Sequence, residues 1–240
     1  MGEVLTGSNA VWEFEPDAVV IRYSRGVRGS RLLQALGERR VPHEALEDVE
    51  LAPGRRGTLV LRATPRPGAD PLMEVAGGQL RESADPYRLV LPEQSASLAG
   101  TAREVLLAAV RAATAAELPG GRFLVPAPAA PRSFKAYDAK ATFDGHVVGF
   151  HWFRTGASTA KWNSGDQTFP VEELSGVDWH SPEQVDGHLR LLLRDRAEPP
   201  PAADRDPASV VFGLGYGSVH ESLPFAAAVL AAIRTARVRP

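Results

Sequence analysis

The stretch Gly213-Leu214-Gly215-Tyr216-Gly217-Ser218-Val219-His220 carries the residue types most suggestive of chemistry. Closely spaced glycines can let a backbone cradle phosphate, and a serine near a histidine can support nucleophilic catalysis. The spacing fits neither use, because a nucleophile elbow requires Gly-x-Ser-x-Gly and a dinucleotide loop requires Gly-x-Gly-x-x-Gly. The run reads as a last strand with its turn. The six histidines, His43, His146, His151, His180, His188 and His220, are scattered without a His-Glu-x-x-His spacing. His146 and His151 lie five apart in an expected strand and face opposite ways. No metal site is expected from them, and Asp204 and Asp206 read as part of a Pro-rich loop. The chain has no cysteine, which excludes disulfides, thiolate zinc sites and cysteine nucleophiles. No catalytic residue and no cofactor is implied.

One segment has the chemistry of anion recognition. Arg22-Tyr23-Ser24-Arg25-Gly26-Val27-Arg28-Gly29-Ser30-Arg31 is followed closely by Arg39 and Arg40. Residues 21–40 hold six arginines against one acid, Glu38, a local balance of +5 in a chain whose net charge is -2. Guanidinium forks match phosphate oxygens bidentately, so Arg22, Arg25, Arg28 and Arg31 are candidate ligand-binding residues. The corresponding connection of the second half, Phe150 to Gln167, offers Trp152, Lys161 and Trp162. Aromatic and basic side chains together suit a membrane interface, which makes Lys161 and Trp162 candidates as well. The competing reading is a solvated loop, with Trp152 in the core and Glu44, Glu47, Asp48 and Glu50 neutralising the patch.

The elements that would position these residues follow from composition and repetition. With 240 residues, 44% hydrophobic and 23% charged, the chain is an ordinary globular protein of one large or two small domains. The near-neutral balance predicts no nucleic-acid partner. Its apolar runs, such as Val105 to Val110, fall far short of a bilayer span. The start, Met1-Gly2-Glu3-Val4-Leu5-Thr6, lacks the features of a secretory signal and fits an acylation pattern only loosely, so a plain tail is expected.

Comparison of the chain with itself exposes an internal repeat. Val41-Pro42-His43-Glu44-Ala45-Leu46-Glu47-Asp48-Val49 recurs as Phe169-Pro170-Val171-Glu172-Glu173-Leu174-Ser175-Gly176-Val177. Gly57-Thr58-Leu59-Val60-Leu61 recurs as Gly187-His188-Leu189-Arg190-Leu191, and Asp85-Pro86 recurs as Asp206-Pro207. Leu106 to Arg111 answers Val229 to Arg234. The boundaries are residues 1–118 for the first copy, a Pro/Gly linker over 119–132, and 133–240 for the second. Each copy reads as several short strands of period-two patterning followed by one helix. The first helix has its apolar stripe at Leu106, Ala109, Val110 and Ala113, with a Thr101/Glu104 capping box ahead of it. The second has Phe225, Val229, Ala232 and Ile233, with Pro224 in the first turn and Arg234 and Arg237 at the C-terminal end.

A curled antiparallel sheet plugged by an amphipathic helix protects both its apolar face and its edges. The apolar-Pro-x-x-x-Leu-x-x-Val segments followed by Gly-x-Leu-x-Leu resemble bacterial pleckstrin-homology-like repeats. In tandem they resemble an actinobacterial family known as a domain of unknown function. The resemblance implies an α+β, mainly β chain: two tandem pleckstrin-homology-like half-barrels, each an antiparallel sheet capped by one C-terminal helix. Another helix-capped barrel or α+β sheet is the alternative fold. The resemblance supplies no catalytic residues. The expected function is a non-catalytic binding or scaffold module in the cytoplasm for a protein partner, acting through sheet edges, the domain interface or the Pro-rich loops Ala63 to Pro86 and Arg196 to Pro207. The alternatives are peripheral binding of anionic lipid at the inner membrane face through Arg25, Arg28 and Arg31, and an enzyme with a site between the copies.

Overall fold

The computed structural model describes residues 3–26, 29–113, 122–128, 132–195 and 199–238. Met1 and Gly2, Arg28 of the basic segment, parts of the 119–132 linker and the start of the second Pro-rich loop lie outside the described residues.

The elements run in the order β1 (Glu3–Thr6), β2 (Ala10–Phe14), β3 (Ala18–Tyr23), α1 (Arg31–Leu36), β4 (Glu38–Pro42), β5 (Leu46–Pro53), β6 (Thr58–Pro65), α2 (Pro71–Ala76), β7 (Arg88–Pro92) and α3 (Ala96–Ala113). The series then repeats as β8 (Arg132–Lys135), β9 (Ala139–Phe143), β10 (Val147–Trp152), α4 (Thr159–Ser164), β11 (Gln167–Pro170), β12 (Leu174–His180), β13 (His188–Leu193), β14 (Ser209–Val211) and α5 (Val219–Val238). The chain is mainly β. Four antiparallel meanders are present, β1-β2-β3-β4 with β5-β6-β7 and β8-β9-β10-β11 with β12-β13-β14, and no closed barrel forms among the described residues. Each half thus holds two sheets and one long C-terminal helix, where the sequence suggested a single curled sheet.

The repeat is a repeat of backbone devices. Val41–Val49 is a strand end, a 3-10 turn over His43–Ala45 and a bulged strand whose register shifts between Leu46 and Asp48. Its counterpart has a 3-10 turn over Val171–Glu173 and a shift between Leu174 and Gly176. A bulge bends a strand and raises its twist, which turns β5 and β12 away from the preceding meander. The proline before each turn fixes φ near -60°, the value this corner needs.

Packing divides the chain into two compact units. The first comprises Met1–Asp70, Leu80–Pro119 and Phe123–Pro126. Its core holds Trp12, Ile21, Leu46, Leu61, Leu89, Leu106 and Val110. Linker residues Leu124 and Val125 both donate backbone N–H bonds to Ala69 O at 3.0 Å, and Val125 is buried. The second comprises Pro71–Gln79, Gly120–Arg122 and Ala127–Pro240. Its core is aromatic, with Phe225 edge-on to Phe134 at 5.0 Å and to Phe143 at 6.1 Å. Within it α2 buries Leu72, Val75 and Ala76 and ties Glu74 to Arg234 at 2.5 Å. The stretch Ala63 to Pro86, read as a loop, therefore carries a short helix.

Two helix ends differ from expectation. Thr101 lies inside α3 and donates to Ser97 O at 3.2 Å, so the predicted capping box is not the cap. The helix starts earlier because a 3-10 turn over Glu93–Ser95 leads straight into it. Pro224 sits inside α5, which begins at Val219. It lies past the first turn, which is held by side-chain bonds from Ser218 to Glu221 and from Ser222 to Gly217 O.

Candidate functional site

The basic segment of the first unit is mostly neutralised by acids of its own sheet. Arg22, exposed on β3, bonds Glu13 Oε2 at 2.6 Å and Glu38 Oε2 at 2.7 Å. Arg40 on β4 pairs with Glu15 at 3.2 Å and Asp17 at 2.7 Å, and this hydrogen bond holds the Asp17 carboxyl below its ordinary value. Arg39 points the other way and is buried in a bidentate bond to Asp70, with both contacts at 2.9 Å. Tyr87 Oη donates to the same carboxylate at 2.7 Å, and the guanidinium lies 5.9 Å from the Tyr87 ring centre. Burial opposes the Arg39 charge, but Asp70 outweighs it and keeps the guanidinium protonated; burial first and Asp70 second drive the Tyr87 phenol well up. The neutralising acids are thus Glu13, Glu15, Asp17, Glu38 and Asp70. Arg25 and Arg31 are left exposed, without an ion pair among the described residues. Arg28 lies outside the description.

The equivalent connection in the second unit is built differently. Lys161, expected at the surface, is 0% exposed: its Nζ donates to Asp138 Oδ2 at 2.5 Å and lies 5.1 Å from the Trp152 ring centre. Burial pulls Lys161 below the ordinary lysine range and raises Asp138, while each stabilises the charge of the other. Asp138 Oδ1 accepts the Val211 backbone N–H at 3.0 Å, fastening the β8–β9 turn to β14. Trp152 is buried and donates Nε1–H to Gly165 O at 2.8 Å. The residues next to the ion pair face solvent. Tyr137 precedes Asp138, Trp162 follows Lys161, and both are about half exposed. Tyr137 meets Tyr216 edge to face at 6.2 Å, and Leu214 beside it is 101% exposed. Leu214 and Gly215 form the tip of a tight turn closed by Tyr216 N–H to Gly213 O at 2.9 Å. Ser218 donates to Glu221, so the glycine-rich run holds a turn and a helix start and no serine–histidine pair.

A third grouping was not foreseen. Asp178 and His180 lie two apart on β12, and His180 is the register partner of His188 on β13, so all three share one face of the hairpin. The imidazoles stack at 4.6 Å with an angle of 11°. Asp178 lies 3.5 Å from His180 Nε2 and 3.7 Å from His188 Nε2. The His188 and His180 imidazoles hold the Asp178 carboxyl below its ordinary value, against partial burial. His188 is buried, its Nδ1 lies 2.8 Å from Asp186 O, and its Nε2 has no hydrogen-bond partner. Among the described residues this is the one group of three such side chains placed to hold a metal ion. The usual i, i+4 ligand spacing misses it, since the second histidine is supplied across a hairpin. The legible signal was Asp-x-His in a strand followed, one turn later, by a histidine opening the next strand. His151, by contrast, pairs with Asp166 at 2.9 Å at the surface.

Comparison with known proteins matches the repeat. One family model, described as Domain of unknown function (DUF4429), covers residues 12–112 and again residues 141–230. No curated protein matches the chain. No helix of the described residues is long and apolar enough to cross a membrane.

Proposed function

We propose, from the premise that this chain belongs to the Domain of unknown function (DUF4429) family in two tandem segments, that it is a non-catalytic protein-binding module of two pleckstrin-homology-like units. The order of a four-stranded meander, a three-stranded meander and a long helix, used twice, supports the pleckstrin-homology-like reading. The observation that carries the binding role is the exposed set Tyr137, Trp162, Leu214 and Tyr216. Exposed aromatics are enriched in protein interfaces because they bury much area with little loss of rotamer freedom. Here the backbones of Tyr137 and Trp162 are held by the neighbouring buried Asp138–Lys161 pair and those of Leu214 and Tyr216 by the turn closed from Tyr216 N–H to Gly213 O, so association orders little. The partner is a protein with an apolar pocket. The test is cross-linking in lysate with the full chain against Trp162→Ser and Tyr216→Ser. A partner retained by the parent and by Arg25→Ala but lost in both aromatic variants supports the reading; identical recovery by all overturns it.

A second reading rests on Arg25 and Arg31, exposed and unpaired by described acids. Two such cations suit an anionic surface, and the reading locates the chain at the inner membrane face. Sedimentation with phosphatidylserine vesicles against neutral ones tests it. Binding that is salt-sensitive and reduced in Arg25→Ala/Arg31→Ala supports it, and binding that ignores both removes it.

A further inference from the structure

We propose that Asp178, His180 and His188 form a site for one divalent first-row transition ion of the zinc class. The separations decide between two readings of the cluster. A histidine bonded to a carboxylate would approach it to about 2.7–3.2 Å. Two ligand atoms on one tetrahedral zinc ion, each about 2.0–2.2 Å from the metal, stand about 3.3–3.5 Å apart. Asp178 Oδ1 stands 3.5 Å from His180 Nε2 and its other oxygen, Oδ2, 3.7 Å from His188 Nε2, both longer than a hydrogen bond and close to the spacing of groups that share an ion through a carboxylate using both oxygens. All three ligand atoms lie within 4.8 Å of one another.

The buried histidine gives independent support. Its Nδ1–H is directed to Asp186 O at 2.8 Å, which leaves Nε2 as the lone-pair nitrogen. That Nε2 is shut away from solvent without a donor, a costly state for a polar atom unless something electrophilic meets it. The Asp186 carbonyl is held in place by its own backbone, at φ +66°, and by Gly187, whose Cβ position would lie 2.8 Å from Pro182 Cα. The ligand strand is fixed as well. Gln79 of the same unit donates to Trp179 O at 2.9 Å and accepts from Ser181 N at 2.9 Å, clamping β12 on both sides of His180.

Local charge permits the ion. Arg190, opposite Asp178 in register, directs its Nε toward Asp206 Oδ2 at 3.2 Å, so its charge is already met. Two imidazoles and one carboxylate suit zinc, with copper(II) and nickel(II) as competitors. The exposed His180 side leaves a coordination position open to water or to a further donor.

Tag-free full-length protein, stripped with a chelator, is titrated with zinc by calorimetry and with cobalt(II) by visible absorption. One ion binds per chain, and cobalt(II) develops the intense d–d bands of a low-symmetry histidine site. His180→Ala, which removes an exposed side chain and leaves the melting curve of the metal-free protein unchanged, weakens binding by at least about tenfold. His188→Gln gives the same loss, and His146→Ala gives none. Absence of saturable binding, or parental binding in His180→Ala, overturns the proposal.

Discussion

Lys161 occupies in the second unit the place that Leu33 occupies in the first, each the third residue of the short helix after the third strand and each buried. Its partner has changed in step. Asn9, in the first hairpin, accepts the Val90 N–H at 2.8 Å and donates to Arg88 O at 2.6 Å. Asp138 accepts the corresponding Val211 N–H but has no proton to donate, and its second oxygen takes Lys161 instead. The same corner between sheets is closed by a neutral amide bonded to β7 in one unit, where the helix position holds leucine, and by an ion pair in the other.

Lys161→Leu alone therefore strands a buried carboxylate and destabilises the second unit by about 3–5 kcal/mol. Adding Asp138→Asn recreates the first unit's pair and recovers most of that loss. Urea denaturation of the two single variants and the double variant measures the coupling. Additive losses would show that the corner does not depend on the pairing.

In the first unit the Asp70 carboxylate collects Arg39 and Tyr87 together. Tyr87→Phe removes one hydrogen bond to a charged acceptor, worth about 1.5–3 kcal/mol. Arg39→Met leaves the buried carboxylate without its counter-charge and costs more, about 3–5 kcal/mol. Equal losses in the two variants, measured by chemical denaturation, would contradict this ranking.

What could be read from the sequence was the periodic part. Strand alternation, the apolar-Pro-x-x-x-Leu-x-x-Val corner and the stripe on α3 depend on local spacing, and Leu106 and Val110 are buried as that stripe requires. Whether a charge lies inside could not be read so directly. Lys161 is basic and beside a tryptophan, which suggests a surface, and only the exchange of Asn9 for Asp138 between the copies hints at its buried partner. The His180–His188 pairing depends on hairpin register, set by the turn over 181–187 and not by a motif. Arg22 and Arg40 looked free because three of the acids that meet them, Glu13 on β2 and Glu15 and Asp17 in the turn after it, come from earlier in the chain than the basic segment.

The turn that presents Leu214 separates two kinds of glycine requirement. Gly215 has φ +81° with open space at its Cβ position, whereas Gly217 has φ +68° and a Cβ position 2.1 Å from the Phe212 ring. Gly215→Ala bears only the left-handed backbone cost, about 1–2 kcal/mol. Gly217→Ala adds a clash with a ring and destabilises by more. Thermal melts of both variants check the order, and a smaller loss for Gly217→Ala would contradict it.

Acid sensitivity separates into two windows. His43 sits in the turn after β4, its N–H donating to Asp17 O at 2.9 Å, its ring buried and its Nε2 without a hydrogen-bond partner. Burial lowers its pKa below the ordinary 6.5, with Arg40 acting in the same direction and Asp17 opposing. The folded state thus takes up this proton less readily than the unfolded chain, so stability rises with pH across the interval. The contribution is full above about pH 6.5 and is lost as pH falls through the depressed value. Asp17 and Asp144, both lowered, by Arg40 and by the His146 and Val147 N–H groups, act in a separate window below about 3.8. His43→Gln therefore flattens the pH dependence of stability just below about pH 6.5 and leaves the more acidic limb in place. Urea denaturation across that range measures it, and an unchanged slope in His43→Gln would assign the upper window to another group.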